Sequence, residues 1–523
     1  MNKNDLVITL DFGTQSLRAI VFNQNGETLA AEQYHYAPAY FSLKPGYAEQ
    51  DINFYWSHMC EVTKKLAENH PDLMKRVKGV SFTCFRDTAV LLDEKHKPLR
   101  STILWCDQRN ASEKTNFPFI YKFLFKLVGM WETAVLNRRR TMANWIQENE
   151  PKVWDKCKYY WSISTYFTYK LTGNEVDTAA NYTGHYPLNM KTGKWMKKSD
   201  LKYCIFNINK EKLPKLVKCG TVLGTITKKC AKETGLPYGI PVIANGTDKG
   251  AETVGTGCIV PTKASISYGT ASTIEVTNKK YIEPETFLPA YQACIDKLYN
   301  LEVQIYRGYW MITWFKNNFA AQETLEASLQ KLAVEEVLNR ELLNIAPGSD
   351  GLVLQPYWGP LLKRPLAKGT IVGFSDHHTR AHVYKAIIEG IAYALREALE
   401  NIEKRQHKKI KELCVSGGGS RSDAICQITA DIFGLPVRRV QTIETGSLGT
   451  AIVAYKGIGV FKSFEEAIQE MSHTRDYFEP NMENHKNYDY LYKNVYLKIY
   501  PSLIKLNKSL VKYNRKYVRN EII

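Results

Sequence analysis

Apolar and β-branched runs that end at a Gly-Thr pair occur twice in the chain and predict two strand–turn–strand units. The first unit spans residues 6–22 and turns at Gly13-Thr14-Gln15-Ser16. The second spans residues 264–276 and turns at Gly269-Thr270-Ala271-Ser272. Tight turns of this kind present backbone N–H groups and hydroxyls to phosphate. Because the two units lie about half the chain apart, they indicate two similar lobes that hold one nucleotide from opposite sides.

The rest of the chain alternates short strand patterns with helical ones, which is typical of an α/β protein. Further strands are predicted at 79–82, 88–92, 103–105, 240–244, 371–374 and 412–415, and helices at 144–161, 164–171, 307–343, 382–406 and 423–433. The segment Gly417-Gly418-Gly419 lies between a strand and a helix, where α/β proteins open a ligand cleft. Asn25-Gly26 predicts a type I′ turn, because both residues tolerate positive φ.

An aromatic stretch at residues 117–131 has nearly helical spacing. We favour a helix packed on its own domain, which is the commoner role of such a pattern. The alternative, a surface for oligomer contacts or a lid over the substrate, stays open.

The length of 523 residues exceeds what one core supports, so two large domains are expected. Gly255, Gly257 and Pro261 break the chain near its middle. We therefore predict an N-terminal, substrate-binding domain at 1–260 and a C-terminal, nucleotide-binding domain at 261–465. Residues 466–523 are rich in Tyr and Lys and are expected to form a basic extension that packs on the core.

The net charge of +17 has two interpretations, nucleic-acid binding or a lysine-rich surface. We favour the second, because the excess is diffuse and no helix-turn-helix, zinc-finger or RNA-binding pattern accompanies it. The eleven cysteines include no CxxC pair, and no apolar run approaches the length of a membrane helix. The N-terminus lacks a signal-peptide pattern. These features predict a cytoplasmic protein that binds neither nucleic acid nor membrane.

The common motifs of other enzyme classes are missing from the sequence. It contains no GxxxxGK[ST], GxGxxG, HExxH or GxSxG segment, which disfavours P-loop, dinucleotide, zincin and α/β-hydrolase chemistry. Asp11 and Asp248 instead follow predicted strands beside glycine turns. Phosphoryl transfer to an alcohol needs a carboxylate near Mg²⁺ and another that accepts the hydroxyl proton. Asp11 suits the first role and Asp248 the second, although each could simply cap a turn.

Six segments in this order resemble the FGGY carbohydrate kinases, which include xylulose, glycerol, ribulose and gluconate kinases. They are Leu10–Ala19, Leu171–Trp195, Thr234–Gly257, Gln355–Glu389, Val415–Val437 and Glu444–Ala454. The resemblance implies two ribonuclease-H-like, actin-like ATPase domains with the nucleotide and substrate in the cleft between them. It also implies ATP and Mg²⁺ as cofactors.

The resemblance further implies a role for individual residues. Asp11 would hold Mg²⁺ and Asp248 would be the general base. The other implied ATP contacts, to phosphates or adenosine, are Thr14, Gln15, Ser16, Arg18, Gly269, Thr270, Gly417, Gly418 and Gly419.

The substrate pocket would be built by Arg86, Asp87, Asp107 and Asp248. Arg86-Asp87 is similar to the Arg-Glu pair with which glycerol kinases hold a polyol, where xylulose kinases usually carry Met-His. An Arg–carboxylate pair suits a diol. Glycerol kinases tend to have Gln after the catalytic Asp, however, and here the residue is Lys249, which we expect to face solvent or else the cleft.

The favoured function is an ATP-dependent kinase for a small sugar, sugar acid or polyol, with a xylulose-like pentulose first. One alternative is a glycerol or other short-polyol kinase. A second is a sugar- or nucleotide-sensing pseudokinase without turnover, and an actin-like or chaperone-type ATPase is less favoured. A homodimer is possible, because similar kinases form dimers.

Overall fold

A computed structural model of the protein describes residues 4–112, 117–358, 364 and 366–517. Gly359 and Pro360, which belong to one segment of the family resemblance, and the last six residues of the extension lie outside this range. Two large mixed sheets, one in each half of the chain, organise the molecule. None of the helices in the described residues is long and apolar enough to cross a membrane.

The first half of the chain forms strands and helices in alternation. Its strands are β1 (Leu6–Phe12), β2 (Ser16–Phe22), β3 (Thr28–His35), β4 (Glu49–Gln50), β5 (Val77–Cys84), β6 (Ala89–Leu92), β7 (Thr102–Ile103), β8 (Tyr159–Ser162), β9 (Val176–Thr178), β10 (Leu188–Asn189), β11 (Lys194–Trp195), β12 (Lys215–Val217), β13 (Val222–Thr225) and β14 (Pro241–Ile243). Its helices are α1 (Ile52–Asn69), α2 (Pro71–Arg76), α3 (Phe119–Leu127), α4 (Trp131–Arg140), α5 (Met142–Asn149), α6 (Pro151–Lys156), α7 (Ile163–Thr172), α8 (Tyr203–Phe206), α9 (Lys228–Thr234) and α10 (Asp248–Gly255).

The main N-terminal sheet has the order β13-β14-β5-β1-β2-β3. Strand β1 is antiparallel to β2 and parallel to β5, which is in turn parallel to β14. β1 is buried almost throughout, which explains its continuous apolar sequence. Because parallel strands end at the same edge of a sheet, Asp11, the turn at 85–87 and the segment at 245–248 come together there.

The second half repeats this plan. Its strands are β15 (Lys263–Tyr268), β16 (Ser272–Asn278), β17 (Tyr291–Gln292), β18 (Tyr299–Ile305), β19 (Val353–Gln355), β20 (Thr370–Val372), β21 (Glu412–Ser416), β22 (Val437–Val440) and β23 (Thr474–Phe478). Its helices are α11 (Trp310–Phe319), α12 (Ala321–Gln330), α13 (Val334–Asn339), α14 (Arg380–Gln406), α15 (Asp423–Phe433), α16 (Thr445–Gly457), α17 (Phe464–Met471), α18 (Met482–Leu491) and α19 (Leu497–Tyr517).

The C-terminal sheet has the order β17-β18-β16-β15-β21-β22-β23. Six of its strands, in the order β18-β16-β15-β21-β22-β23, have the same relative directions as β3-β2-β1-β5-β14-β13 of the N-terminal sheet. The Gly-Thr turn at 269–270 joins β15 to β16 as the turn at 13–14 joins β1 to β2. The glycine segment 417–419 follows β21, which is parallel to β15. The two predicted phosphate turns therefore occupy equivalent places in two similar sheets.

Helices α10 and α16 connect the two halves through close backbone packing. A Cβ atom added at Gly449 would lie 2.7 Å from the backbone N of Gly255 and 2.8 Å from the carbonyl carbon of Ala251. Real Cβ contacts are almost never shorter than 3.0 Å. Leu448 and Ile452 of α16 also share a buried cluster with Val7 of β1. The helix that begins at Asp248 is thus fixed against the C-terminal half.

The predicted strands and turns are mostly confirmed, but the turn type at Asn25-Gly26 is wrong. Only Gly26 has a positive φ, at 77°, whereas type I′ needs positive φ at both residues. The Asn23 side chain instead accepts hydrogen bonds from the backbone N of Asn25 and of Glu27. The turn is therefore a wider one, organised by an asparagine side chain.

The aromatic stretch contains helix α3, and only part of that helix packs on its own domain. Phe125 is fully buried, and Tyr121 packs against the cluster to which Phe125 belongs. Phe119, Ile120 and Leu127 are exposed, with 85 % of Phe119 accessible. The alternative of a surface for other contacts therefore stays open.

The C-terminal extension packs on the C-terminal half through a row of tyrosines. Tyr488, Tyr492 and Tyr496 are buried in the same cluster as α14. The hydroxyl of Tyr488 donates a hydrogen bond to Glu389 on that helix. The exact limits of the three predicted domains stay predictions.

Candidate active site

Asp11 lies near the end of β1 within a group of carboxylates. Its register partner on β2 is Arg18, whose guanidinium lies 3.6 Å from the Asp11 carboxylate and 3.3 Å from that of Glu444. Burial raises the pKa of Asp11 to about 7, with Arg18 opposing this shift and Asp248, Glu444 and Glu252 adding to it. Asp11 therefore offers one carboxylate, the type of oxygen ligand that a hard divalent cation prefers.

The first Gly-Thr turn is held in place by hydrogen bonds to its backbone and side chains. The backbone N of Gly13 donates to the carbonyl of Ser16 at 2.9 Å. The Trp105 indole donates to the Thr14 hydroxyl at 2.9 Å. Gln15 is exposed and Ser16 is buried. Gln15 is thus the most open residue of this turn, whereas Gly13 and Thr14 are half-buried.

The second turn and the glycine segment lie side by side in the C-terminal half, because they follow the adjacent parallel strands β15 and β21. Thr270 is exposed, and the carbonyls of Gly269 and Thr270 accept hydrogen bonds from the backbone N of residues 309 and 310. Gly417 has a φ of 77°, and an added Cβ there would lie 2.9 Å from the Tyr268 backbone. Gly418 is exposed, with no atom near its added Cβ. Gly418 is therefore the glycine whose backbone a ligand can approach.

Asp248 is the first residue of α10, directly after the loop that follows β14. Thr247 caps this helix, accepting a hydrogen bond from the backbone N of Gly250. The Asp248 carboxylate accepts one from the backbone N of Lys249 at 2.9 Å. Burial raises the pKa of Asp248, while Lys249 and Arg86 lower it in part. Its raised pKa makes Asp248 a better proton acceptor than an exposed aspartate.

A lysine at such a position more often points to solvent, but Lys249 is largely buried. Its ammonium lies 2.9 Å from the Glu252 carboxylate and donates at 2.9 Å to the Ser267 hydroxyl, just before the second Gly-Thr turn. Only 14 % of its side chain is exposed. Lys249 therefore ties the helix of the candidate base to the C-terminal sheet.

Arg86 and Asp87 do not pair with each other. The Arg86 guanidinium makes two hydrogen bonds to Glu302 of β18, in the other half of the chain, one of them at 2.8 Å. Asp87, with a φ of 55°, lies 3.0 Å from Nδ1 of His185. Burial opposes both charges of this second pair, yet their attraction lowers the pKa of Asp87 and raises that of His185. The expectation of a single Arg–carboxylate pair is replaced by two separate pairs.

Asp107 is held by its own loop. Its carboxylate accepts hydrogen bonds from the backbone N of Ala48 and from the backbone and guanidinium of Arg109, at 2.7–2.8 Å. The side chain is fully buried. A substrate contact by Asp107 stays a prediction, and in this structure its oxygens stabilise the loop that carries Trp105.

Sequence reasoning missed Glu302, His185 and Tyr291. The ring of Tyr291 lies 5.3 Å from the Arg86 guanidinium. His185 falls within the segment Leu171–Trp195, which the resemblance already singled out. Glu302 had no signal, since it is one charged residue within a strand of the other half.

Comparison with known proteins agrees with a fold of two similar halves. Residues 6–255 match the N-terminal domain model of the FGGY family of carbohydrate kinases, and residues 264–457 match its C-terminal domain model. A xylulose kinase of Staphylococcus epidermidis is 29 % identical, over 97 % of this chain and 99 % of that protein. A glycerol kinase of Deinococcus radiodurans is 28 % identical, over 92 % of this chain and 94 % of that protein.

The solved structures agree as well. A ligand-bound xylulose kinase from Lactobacillus acidophilus superposes with a TM-score of 0.81 at 22 % identity, covering 97 % of this chain and 100 % of the other. The expected pair of actin-like ATPase domains is confirmed by this likeness and by the family models. The chain belongs to the FGGY family of carbohydrate kinases.

Proposed function

We propose that this carbohydrate kinase transfers the γ-phosphoryl group of ATP to a hydroxyl of a xylulose-like pentulose. The observation that carries the proposal is Asp248 at the N-terminus of α10, with a raised pKa and with Lys249, Arg86 and Glu252 as charged neighbours. The similarity of the chain to a xylulose kinase over nearly its full length supports a pentulose as the acceptor.

Each side of the site supplies one part of phosphoryl transfer. Asp248 accepts the proton of the attacking hydroxyl, and its position supplies much of the rate. The turns at Thr14-Gln15 and Gly269-Thr270 donate to the phosphates from opposite sides. Gly418 provides open backbone beside the nucleoside. Closure of the halves excludes water, which competes with the sugar for the phosphoryl group.

Asp11 is the residue that would hold Mg²⁺. The described residues contain no ready group of three His, Cys, Asp or Glu ligands for a metal. An ion that arrived with ATP would take its other ligands from phosphates and water. When bound, the ion neutralises negative charge on the phosphates. Asp11 needs such a counter-charge, because its burial beside other carboxylates disfavours its ionised form.

A glycerol or short-polyol kinase is the second candidate. Arg86-Asp87 favours it, because this pair resembles the polyol contact of glycerol kinases. The structure weakens that argument, since each residue pairs with a different partner. A pseudokinase is disfavoured by the presence of both Asp11 and Asp248.

The test is a coupled ADP-release assay with Mg-ATP and a panel of D-xylulose, D-ribulose, D-fructose, D-gluconate, glycerol and erythritol. We expect D-xylulose or another pentulose to give the highest kcat/KM. A highest value with glycerol or erythritol would favour the second candidate. ATP binding without turnover of any acceptor would favour the pseudokinase.

We further propose a cytoplasmic enzyme that binds neither nucleic acid nor membrane and forms a homodimer. The diffuse distribution of its positive charge supports the first part. The exposed apolar residues of α3 support a contact with another copy. Light scattering of the purified protein measures the oligomeric state, and a monomeric mass at micromolar concentration would contradict the dimer.

A further inference from the structure

We infer that Glu302 is a positioning residue that holds Arg86 as a neutral ion pair and so selects an uncharged acceptor over a sugar acid. The inference rests on the proposed function and assigns the selection of its substrate to a named residue. Glu302 belongs to β18 of the C-terminal half, whereas Arg86 follows β5 of the N-terminal half. Only 5 % of the Glu302 side chain and 14 % of the Arg86 side chain are exposed.

The position of Glu302 is fixed by the sheet in which it lies. Its register partner is Glu275 on β16. Glu275 accepts hydrogen bonds from Thr253 of α10 at 3.0 Å and from Asn300 at 2.9 Å. The helix that begins at the candidate base thus contacts the same pair of strands that carries Glu302. The ladder and these contacts leave Glu302 little freedom to move away from Arg86.

Arg86 is also restrained on its other side. The ring of Tyr291 lies 5.3 Å from the guanidinium, within the range of a cation–π contact. The two hydrogen bonds to Glu302 use one N–H each from Nη1 and Nη2. A guanidinium has five N–H donors, so three stay available for hydroxyl oxygens of a substrate. Arg86 is thus held in one orientation while it keeps donors for the acceptor.

The charge of the pocket follows from this pairing. Glu302 cancels the charge of Arg86, and His185 pairs with Asp87. Asp248 then adds a negative charge with only partial compensation from Lys249, which also pairs with Glu252. A carboxylate on the acceptor would meet no free cation among these residues and would be repelled by Asp248. Neutral hydroxyls meet no such penalty.

The test is the Glu302→Gln variant, assayed for kcat and KM with D-xylulose and with D-gluconate. The substitution keeps the shape of the side chain and removes the negative charge that pairs directly with Arg86. We expect the kcat/KM ratio of D-gluconate to D-xylulose to rise on the order of tenfold or more, as expected when a charge-assisted hydrogen bond is gained or lost. The change should lie mainly in KM. An unchanged ratio would overturn the inference.

Two further variants separate positioning from folding. Glu326→Gln removes an exposed carboxylate that pairs with Arg340, and we expect it to leave the ratio unchanged. In an Arg86→Gln background, Glu302→Gln should cause no further change in the ratio, because Glu302 acts through Arg86. A ratio that still rises in that background would contradict the inference.

Glu302→Asp covers the case in which Glu302→Gln does not fold. This substitution keeps the negative charge but shortens the side chain by one methylene, so that it holds Arg86 less well. The preference for the neutral sugar should therefore persist while the KM for D-xylulose rises. An unchanged KM would contradict the positioning role. If the wild-type enzyme turns over none of the neutral acceptors, the proposed function fails. That result is distinguishable from a failure of the inference about Glu302, which is tested by comparing variants of an active enzyme.

Discussion

The backbone contact between α10 and α16 gives a sharp prediction, the effect of Gly449→Ala. An added Cβ would lie 2.7 Å from the backbone N of Gly255 and closer still to the carbonyl oxygen of Ala251. Both neighbours are backbone atoms of a packed helix, so they cannot rotate away. The two helices must separate by roughly 1 Å before normal contact distances return.

This separation affects both stability and turnover. Overpacking of a core typically costs about 1–3 kcal/mol, and the better helix propensity of Ala returns at most about 1 kcal/mol. With both terms, we expect a net loss of up to about 2 kcal/mol and a melting temperature lower by up to roughly 8 °C. Because α10 begins at Asp248, a shift of about 1 Å also displaces the candidate base, and kcat should fall on the order of tenfold to a hundredfold.

Gly446→Ala is the matched control, three positions earlier in the same helix. Its added Cβ would lie 3.6 Å from Cγ of Glu252 and 3.8 Å from the Asp248 carbonyl, which are ordinary contacts. Thermal melting and the coupled ADP-release assay compare the two variants with the parent protein. If Gly449→Ala melts as high as Gly446→Ala and keeps its kcat within about twofold, the close packing described here is wrong.

Three other predictions concern the site. Asp248→Asn should lower kcat by about 10²–10⁴-fold with the Kd for ATP unchanged; a kcat within about tenfold of the parent would exclude Asp248 as the base. Burial opposes both charges, yet Asp87 raises the pKa of His185 above 6.5 and His185 lowers the pKa of Asp87 below 3.8. Their ion pair therefore exists between the lowered Asp87 value and the raised His185 value, and it is lost as the pH rises through the latter. The acceptor KM should therefore increase across that upper range in the parent and stay flat in His185→Asn, and equal profiles would refute this. Gly419→Ala would place a Cβ 2.7 Å from Cζ of Tyr309 and should raise the KM for ATP about tenfold with the acceptor KM unchanged, whereas an unchanged ATP KM would show that the tyrosine moves aside.

Local features of the sequence were enough to predict the repeated architecture. The strand patterns and Gly-Thr turns depend on residues within a few positions of one another, so the chain encodes them directly. Asp11 and Asp248 could be singled out because each lies at or just after the end of a strand and before a glycine-containing turn or helix. The turn at Asn25-Gly26 was wrong, because a side chain two positions earlier decides its geometry. The helix predicted at 144–161 was also wrong at its end, where Tyr159–Ser162 form β8 instead.

The ion-pair partners of Arg86 and Asp87 were decided only by the tertiary structure. Arg86 and Glu302 are 216 positions apart, and His185 and Asp87 are 98 apart, so no local pattern could pair them. The burial of Lys249 and the exposure of Phe119 likewise depend on how distant elements pack. The sequence by itself determined two similar sheets, their phosphate turns and the carboxylates at their edges. The charge balance around the acceptor was decided when folding brought strands of the two halves together, because electrostatic interactions depend on distance in space and not along the chain.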